Sequence, residues 1–110
     1  MKFIFLLMLI ISTNSFADQV GTASYYGPGF HGKRAADGSI FNMHKLTAAH
    51  KTIKLGKKVK VTNLHNKKSV IVTITDRGPY SGKRIIDLSA AAKNAIAMGG
   101  LARVSIQVLN

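Results

Sequence analysis

Two of the four acidic residues in this 110-residue chain lie where a carboxylate could exchange protons with a ligand. Asp76 follows the alternating apolar residues of segment 70–74, which predict a half-buried strand, and Arg77-Gly78-Pro79 then turns the chain. Asp87 lies in a second apolar segment, 85–88. A carboxylate at a strand end beside a glycine-rich turn suits acid–base chemistry. An aspartate that caps its own turn and pairs with Arg77 would give the same local pattern.

The four histidines lack the spacing of a metal site. His44 and His50 are six residues apart, whereas ligands on a helix are usually three or four apart. We therefore expect no metal and no cofactor. His50 ends a small, apolar segment, 46–50, and two interpretations stay open for it. It is either a histidine at the edge of the core that bonds to backbone, or a functional titratable group.

Aromatic residues cluster near glycines in two parts of the chain. Tyr25 and Tyr26 precede Gly27, and Phe30 and Tyr80 lie in similar surroundings. Such side chains could stack on sugar rings, or they could close the core of a barrel. The neighbouring Ser24 has no adjacent base and no nucleophile-elbow pattern, so the sequence gives little support to a serine hydrolase.

Short strands and one helix must position these residues. Strand signals occur at 20–26, 58–64, 69–75, 85–88 and 102–109. Residues 65–68 are predicted to form the hairpin turn between the second and third of these strands. Ser89 is predicted to cap a helix from Ala90 to Met98, which Gly99-Gly100 would end. Many short strands with one helix predict a small β-barrel.

The N-terminus has the order of features found in a secretory signal. Lys2 precedes an apolar run at 3–11, and small residues at Ser15 and Ala17 suit cleavage after Ala17. We therefore expect a signal peptide at 1–17 and one domain at 18–110. The chain has no cysteine, so we expect neither a disulfide nor a lipid-modified residue at the cleavage site. The predicted mature protein is a soluble monomer in the periplasm or outside the cell.

The charge is strongly one-sided. Sixteen Lys and Arg residues against four acidic ones give a formal net charge of +12, which favours polyanionic partners. Export and the lack of an aromatic–basic RNA signature argue against nucleic acid and favour the acidic polymers of the cell envelope. A solvated basic surface with no specific partner is the open alternative.

Taken together, six motifs closely resemble the rare lipoprotein A family in order and spacing, over essentially the whole predicted mature chain. They are Gly21-Thr22-Ala23-Ser24-Tyr25-Tyr26-Gly27, Phe30-His31-Gly32, Leu46-Thr47-Ala48-Ala49-His50, Val61-Thr62-Asn63-Leu64, Asp76-Arg77-Gly78-Pro79-Tyr80 and Arg84-Ile85-Ile86-Asp87-Leu88-Ser89. The resemblance implies a mainly β fold, a six-stranded double-psi β-barrel with one or two short helices. Expansins and barwin-like proteins share this fold.

The resemblance also implies an activity, lytic cleavage of peptidoglycan glycan strands in cell wall remodelling or daughter-cell separation, with a preference for strands that lack stem peptides. Such an enzyme uses no water. One acid protonates the oxygen between N-acetylmuramic acid and N-acetylglucosamine, and the muramic C6 hydroxyl closes onto C1 to give a 1,6-anhydro sugar. A single carboxyl with a raised pKa could serve, whereas ordinary glycosidases need a pair.

By the same resemblance, Asp76 is expected to be the acid/base, with His50 orienting it and Asp87 as an auxiliary carboxylate. The residues expected to contact substrate are Ser24, Tyr25, Tyr26, Ser39, Asn42, Arg77 and Tyr80. The chain departs from the family at two of these positions, because Ser39 replaces a Glu and Asn42 replaces an Asp. Neither can be a general acid at neutral pH. A non-catalytic, expansin-like wall-binding protein is therefore the alternative.

Overall fold

The computed structural model describes residues 19–80 and 82–109, so the predicted signal peptide lies outside the described residues. Six strands close into a barrel in the order β1-β5-β2-β4-β3-β6, with one short helix and a 3-10 turn at Pro28–Phe30. The elements are β1 (Gln19–Tyr25), β2 (Thr47–Ala49), β3 (Lys58–Asn63), β4 (Ser69–Asp76), β5 (Arg84–Leu88), α1 (Ala90–Ala95) and β6 (Ala102–Val108). The predicted six-stranded barrel is confirmed.

Two parallel pairs set the arrangement of the barrel. β1 runs parallel to β5, and β2 runs parallel to β4, while the other four pairings are antiparallel. The predicted β3–β4 hairpin is present, with Val61 opposite Val70. No helix in the described part of the chain is long and apolar enough to cross a membrane.

The core lies inside the barrel and under the helix. Alternate residues of the strands point inward, as the period of two predicted, and α1 adds Ala92 and Ile96. The fully buried residues with the largest side chains are Ile74, Ile86, Leu88, Ile96, Val59, Val61, Val72 and Val104, with the small polar Ser89 among them. A second cluster joins Tyr26, Phe41 and Ala49 beside the barrel, where the two aromatic ring centroids are 4.6 Å apart.

Two local predictions differ from the structure. Strand β2 was not predicted from periodicity, because three residues are too few to show an alternation. The helix was predicted to reach Met98 but ends at Ala95, and Ala97 has a positive φ of 51°. Side chains supply the reason, since Asn63 Nδ2 and Asn66 Nδ2 both donate to the carbonyl of Ile96 at 3.0 Å. The hairpin turn thereby caps the helix before the glycines are reached.

Candidate functional site

The two predicted carboxylates meet around the end of β2. Ala49 pairs with Asp87 of β5 on one side and with Asp76 of β4 on the other, and Ala49 itself is buried. The short strand that periodicity missed is therefore the element that brings the two aspartates together. Its small alanine leaves both aspartates at the edge of one groove.

The groove has a volume of about 350 Å³. Ten residues line it, namely Tyr25, Tyr26, Phe30, Asp76, Arg77, Gly78, Pro79, Tyr80, Arg84 and Asp87. Gly78 has a φ of 123°, a value that suits glycine, and so the chain can turn directly after Asp76. The groove therefore contains six of the ten predicted site residues, and Phe30 and Arg84 were not among the residues predicted.

The environment of Asp87 favours the protonated form of its carboxyl group more than water does. Its side chain is half-buried, and Ser24 Oγ donates to its Oδ1 at 3.1 Å. Burial raises the pKa of Asp87, and the nearby charge of Asp76 raises it further. The Ser24 hydroxyl and the charge of Arg84 act in the opposite direction, but the pKa of Asp87 remains above its ordinary value.

Asp76 has a different environment, made of hydrogen-bond donors. Its Oδ1 accepts from the backbone N–H groups of Ala36 at 3.0 Å and Arg77 at 2.9 Å, and its Oδ2 accepts from the Tyr26 hydroxyl at 3.5 Å. Burial, followed by the charge of Asp76, raises the pKa of the Tyr26 phenol, so this hydroxyl stays protonated and remains a donor. These three hydrogen bonds fix the orientation of the Asp76 carboxylate at the edge of the groove.

His50 is buried, and its ring bonds to groups other than Asp76. Nδ1 accepts from the backbone N–H groups of Thr52 and Ile53, both at 3.1 Å. The proton of a neutral ring therefore lies on Nε2, which can donate to Gln19 Oε1 at 3.0 Å. Burial lowers the pKa of His50, and the positive charges of Arg77 and Lys51 lower it further.

The link from His50 to the groove runs through the backbone. Its N–H donates to the carbonyl of Asp76 at 3.1 Å, and its carbonyl accepts from Arg77 Nη1 at 3.0 Å. The same Nη1 also donates to the carbonyl of Ile53 at 2.6 Å. His50 and Arg77 therefore fix the chain on either side of Asp76, and His50 has no direct bond to the carboxylate.

Ser39 and Asn42 lie outside the groove, in a neighbouring cleft of about 280 Å³. That cleft is lined by Asp37, Ser39, Ile40, Phe41, Asn42, Lys45, Thr47, Thr73 and Thr75. Ser39 donates to Asp37 Oδ1 from both its hydroxyl, at 2.5 Å, and its N–H, at 2.9 Å, and these bonds lower the pKa of Asp37. Asn42 Oδ1 accepts from the N–H of His44 at 2.9 Å.

The groove and the cleft meet at one loop. The N–H of Ala36 donates to Asp76 in the groove, and the N–H of Asp37 donates to the carbonyl of Thr75 at 3.1 Å beside the cleft. Residues 36–37 thus cross the end of β4, and a long linear ligand could contact both depressions. The Ala36 N–H was not predicted as part of the site, because the pattern of side chains in a sequence does not reveal which backbone N–H groups point at a site residue.

The aromatic residues divide between surface and core. Tyr80 is 77% exposed and Phe30 54%, and Lys93 Nζ lies 4.9 Å from the ring centroid of the partly exposed Tyr25. Tyr26 is buried and packs against Phe41. Tyr26 is therefore a core residue of the second cluster, and sugar stacking stays a prediction for the exposed rings at the rim of the groove.

Comparisons with known proteins agree with the resemblance that the sequence motifs show. A protein-family model described as "Lytic transglycolase" matches residues 18–108. A Synechocystis sp. protein named "Probable endolytic peptidoglycan transglycosylase RlpA" is 54% identical over 91 residues, which are 81% of this chain and 28% of the relative. A Campylobacter jejuni protein named "Endolytic peptidoglycan transglycosylase RlpA" is 46% identical over 102 residues, 91% of this chain and 36% of the relative.

Among solved structures, an expansin of Clavibacter michiganensis superposes with a TM-score of 0.68 at 19% identity, over 86% of this chain and 51% of the expansin. This likeness and the family match confirm the predicted double-psi β-barrel and the resemblance read from the motifs. The chain spans about a third of the length of the two curated relatives it matches.

Proposed function

Because the chain belongs to the lytic transglycolase family, we propose that it is an exported enzyme that cleaves peptidoglycan glycan strands by lytic transglycosylation. Two relatives bear the name endolytic peptidoglycan transglycosylase, and this chain covers only part of each. The observation that carries the proposal is the pair of aspartates on either side of Ala49. Asp87 is half-buried, whereas Asp76 accepts hydrogen bonds from its neighbours.

The two environments support different proton-transfer roles for the two aspartates. Asp87, with its raised pKa, holds the proton that passes to the glycosidic oxygen as the bond to C1 breaks. Asp76, held among donors, accepts the proton of the muramic C6 hydroxyl as that oxygen closes onto C1. This assignment differs from the expectation from sequence, which made Asp76 the acid/base and Asp87 an auxiliary carboxylate. The contrast in burial and in hydrogen-bond donors, which the sequence does not reveal, supports giving the acid role to Asp87.

The remaining site residues bind and position. Ser24 orients the Asp87 carboxyl, and Tyr26 holds Asp76 through its hydroxyl. His50 and Arg77 anchor the backbone around Asp76. The exposed rings at the rim stack on sugars, as Tyr25 and Tyr80 are placed to do. Ser39 and Asn42, in the adjoining cleft, contact the strand beyond the scissile bond.

We further propose that residues 1–17 are a cleaved signal peptide and that residues 18–110 act as one monomeric domain in the envelope. The substrate would then be glycan strands, preferentially those without stem peptides. No cofactor enters the proposed chemistry, because both proton transfers use side chains of this chain.

The alternative function is non-catalytic binding of wall glycan. Ser39 and Asn42 favour it, since they stand where the family resemblance places acidic residues. Intact and amidase-stripped sacculi, incubated with the purified protein, separate the two functions. The enzyme proposal predicts soluble fragments with 1,6-anhydro ends by mass spectrometry. Folded protein that binds sacculi and releases none would support the binding function instead.

A further inference from the structure

Lysine is concentrated in one segment of the chain. Residues 51–68 contain seven of the chain's twelve lysines and no Asp or Glu. The three acidic residues of the described chain line the groove or its neighbouring cleft, namely Asp37, Asp76 and Asp87. Six exposed lysines of the segment are called the lysine face below: Lys54, Lys57, Lys58, Lys60, Lys67 and Lys68.

The barrel places part of the lysine face on the outside of β3. Val59 and Val61 point inward and are buried, so Lys58 and Lys60 point outward and are exposed. In the closed strand order, β3 lies beside β4, which ends at Asp76, and three positions away from β5, which carries Asp87. No residue of 51–68 lines the groove, so a ligand on the outer side of β3 would not have to enter it.

One end of the lysine face is a shaped depression. It has a volume of about 350 Å³ and is lined by residues 54–58. Its backbone is fixed, because the N–H of Gly56 donates to the carbonyl of Ile74 at 2.7 Å and the N–H of Lys57 donates to the carbonyl of Lys54 at 3.2 Å. Lys58 Nζ donates to the neutral hydroxyl of Thr73 at 2.7 Å, so its positive charge is not neutralised there.

The spacing of the charges suits a linear ligand. Alternate residues of a strand are about 7 Å apart, so the outward lysines of β3 form a row with Lys54 and Lys57 at one end. Lys67 and Lys68 lie in the hairpin turn at the other end. The whole segment contains lysine but no arginine. Lysine binds phosphate as a point charge on a flexible stem, so a row of lysines can follow successive phosphates without fixing the orientation of each.

Two other polyanionic partners fit less well. Apart from the single imidazole of His65, residues 51–76 contain no aromatic side chain on which bases could stack, whereas proteins that bind single-stranded nucleic acids stack successive bases on such rings. Ile71 is the one exposed large hydrophobic residue of the described chain in that range, so the face offers little to insert into a lipid interface.

We propose that the lysine face binds a linear envelope polymer whose repeating units carry phosphate. The polymer lies along β3, with a phosphate in the depression at residues 54–58, while the groove, whose lining contains none of these lysines, remains open to glycan. This inference does not depend on the proposed enzymatic activity. It places much of the positive charge of the chain on one surface and names a ligand for that surface.

The test uses long-chain inorganic polyphosphate as the probe and compares two doubly substituted proteins of equal net charge. Lys57→Gln/Lys60→Gln alters the lysine face, and Lys33→Gln/Lys83→Gln removes two exposed lysines elsewhere. Binding is measured by calorimetry at low and high salt. We expect the first pair to weaken binding about tenfold or more, since each lysine near an anionic surface contributes several-fold. The second pair should weaken it less than about threefold.

The outcomes decide the proposal. Equal losses in the two doubly substituted proteins would show that net charge alone binds the probe and would overturn the site. Tighter binding to vesicles of anionic phospholipid than to polyphosphate, lost on the same substitutions, would assign the face to membranes and overturn the polymer. Circular dichroism confirms that each variant is folded.

Discussion

Ser89 connects three parts of the structure, and its replacement by alanine is the sharpest test of how the site is built. The side chain is fully buried. Its hydroxyl donates to the carbonyl of Lys45 at 2.6 Å and accepts from the N–H groups of Ala92 at 3.2 Å and Thr47 at 3.4 Å. It therefore caps α1 and also ties the chain entering β2 to the end of β5, two residues beyond Asp87.

The expected cost of Ser89→Ala follows from these bonds. Loss of a helix N-cap costs about 1 kcal/mol of the free energy of unfolding. The buried bond to the Lys45 carbonyl contributes about another 1 to 2 kcal/mol, because its acceptor loses a short hydrogen bond. We expect a total loss of about 2 to 3 kcal/mol. In a domain of this size, that loss lowers the melting temperature by roughly 10–20 °C.

Urea unfolding and thermal melting, followed by circular dichroism, measure this loss. Ser69→Ala is the matched control, because Ser69 is exposed at the first position of β4. The control should change stability by less than about 0.5 kcal/mol. If Ser89→Ala were no more destabilising than Ser69→Ala, the hydroxyl would not hold β2 in place, and the account of how the two aspartates are brought together would fail.

Four further predictions concern pH and packing. Ser24→Ala removes a donor that lowers the pKa of Asp87, so the alkaline limb of the activity profile should move to higher pH; a shift to lower pH would contradict the acid role. Because the pKa of Asp87 is raised, the folded state binds this proton more tightly than the unfolded state does. The free energy of unfolding should therefore fall as the pH rises from 3.8 through the pKa that Asp87 has in the folded protein. Urea titrations of Asp87→Asn should lack this fall. The pKa of His50 is lowered, so the unfolded state binds this proton more tightly and the free energy of unfolding should decline as the pH falls below 6.5. If His50→Gln showed the same decline, His50 would not be its cause. Gly21→Ala places a Cβ 2.7 Å from Ile85 Cγ2 and should cost about 1 to 3 kcal/mol in urea unfolding. In the double variant Gly21→Ala/Ile85→Ala the clash should be relieved, so its loss of stability should be smaller than the sum of the two single losses. A loss equal to that sum would disprove the clash.

The sequence predicted the regular parts of the barrel because their side chains obey a period of two. The alternation in β3 and β4 reflects one face against the core, and Ser89 as a helix cap follows from the preference of serine for that position. The end of α1 could not be predicted, since Asn63 and Asn66 lie some thirty residues away in the chain.

The candidate site was predicted in its members but not in its geometry. Asp76, Asp87, Tyr25, Tyr26, Arg77 and Tyr80 all line one groove. Their meeting depends on the register of Ala49 in a strand of three residues, which local pattern does not reveal. The ring partners of His50 and the cleft around Ser39 and Asn42 are likewise products of long-range packing.

The central claim is that Asp87 donates the proton and Asp76 accepts one. The direct measurement is the rate at which 1,6-anhydro ends form from amidase-stripped sacculi, followed by mass spectrometry for the unaltered protein and for Asp87→Asn. Asparagine can still accept the Ser24 hydroxyl but cannot supply a proton. The account predicts a folded variant whose rate is lower by a factor of about 10² to 10⁴. An Asp87→Asn protein that forms anhydro ends at the unaltered rate would contradict it.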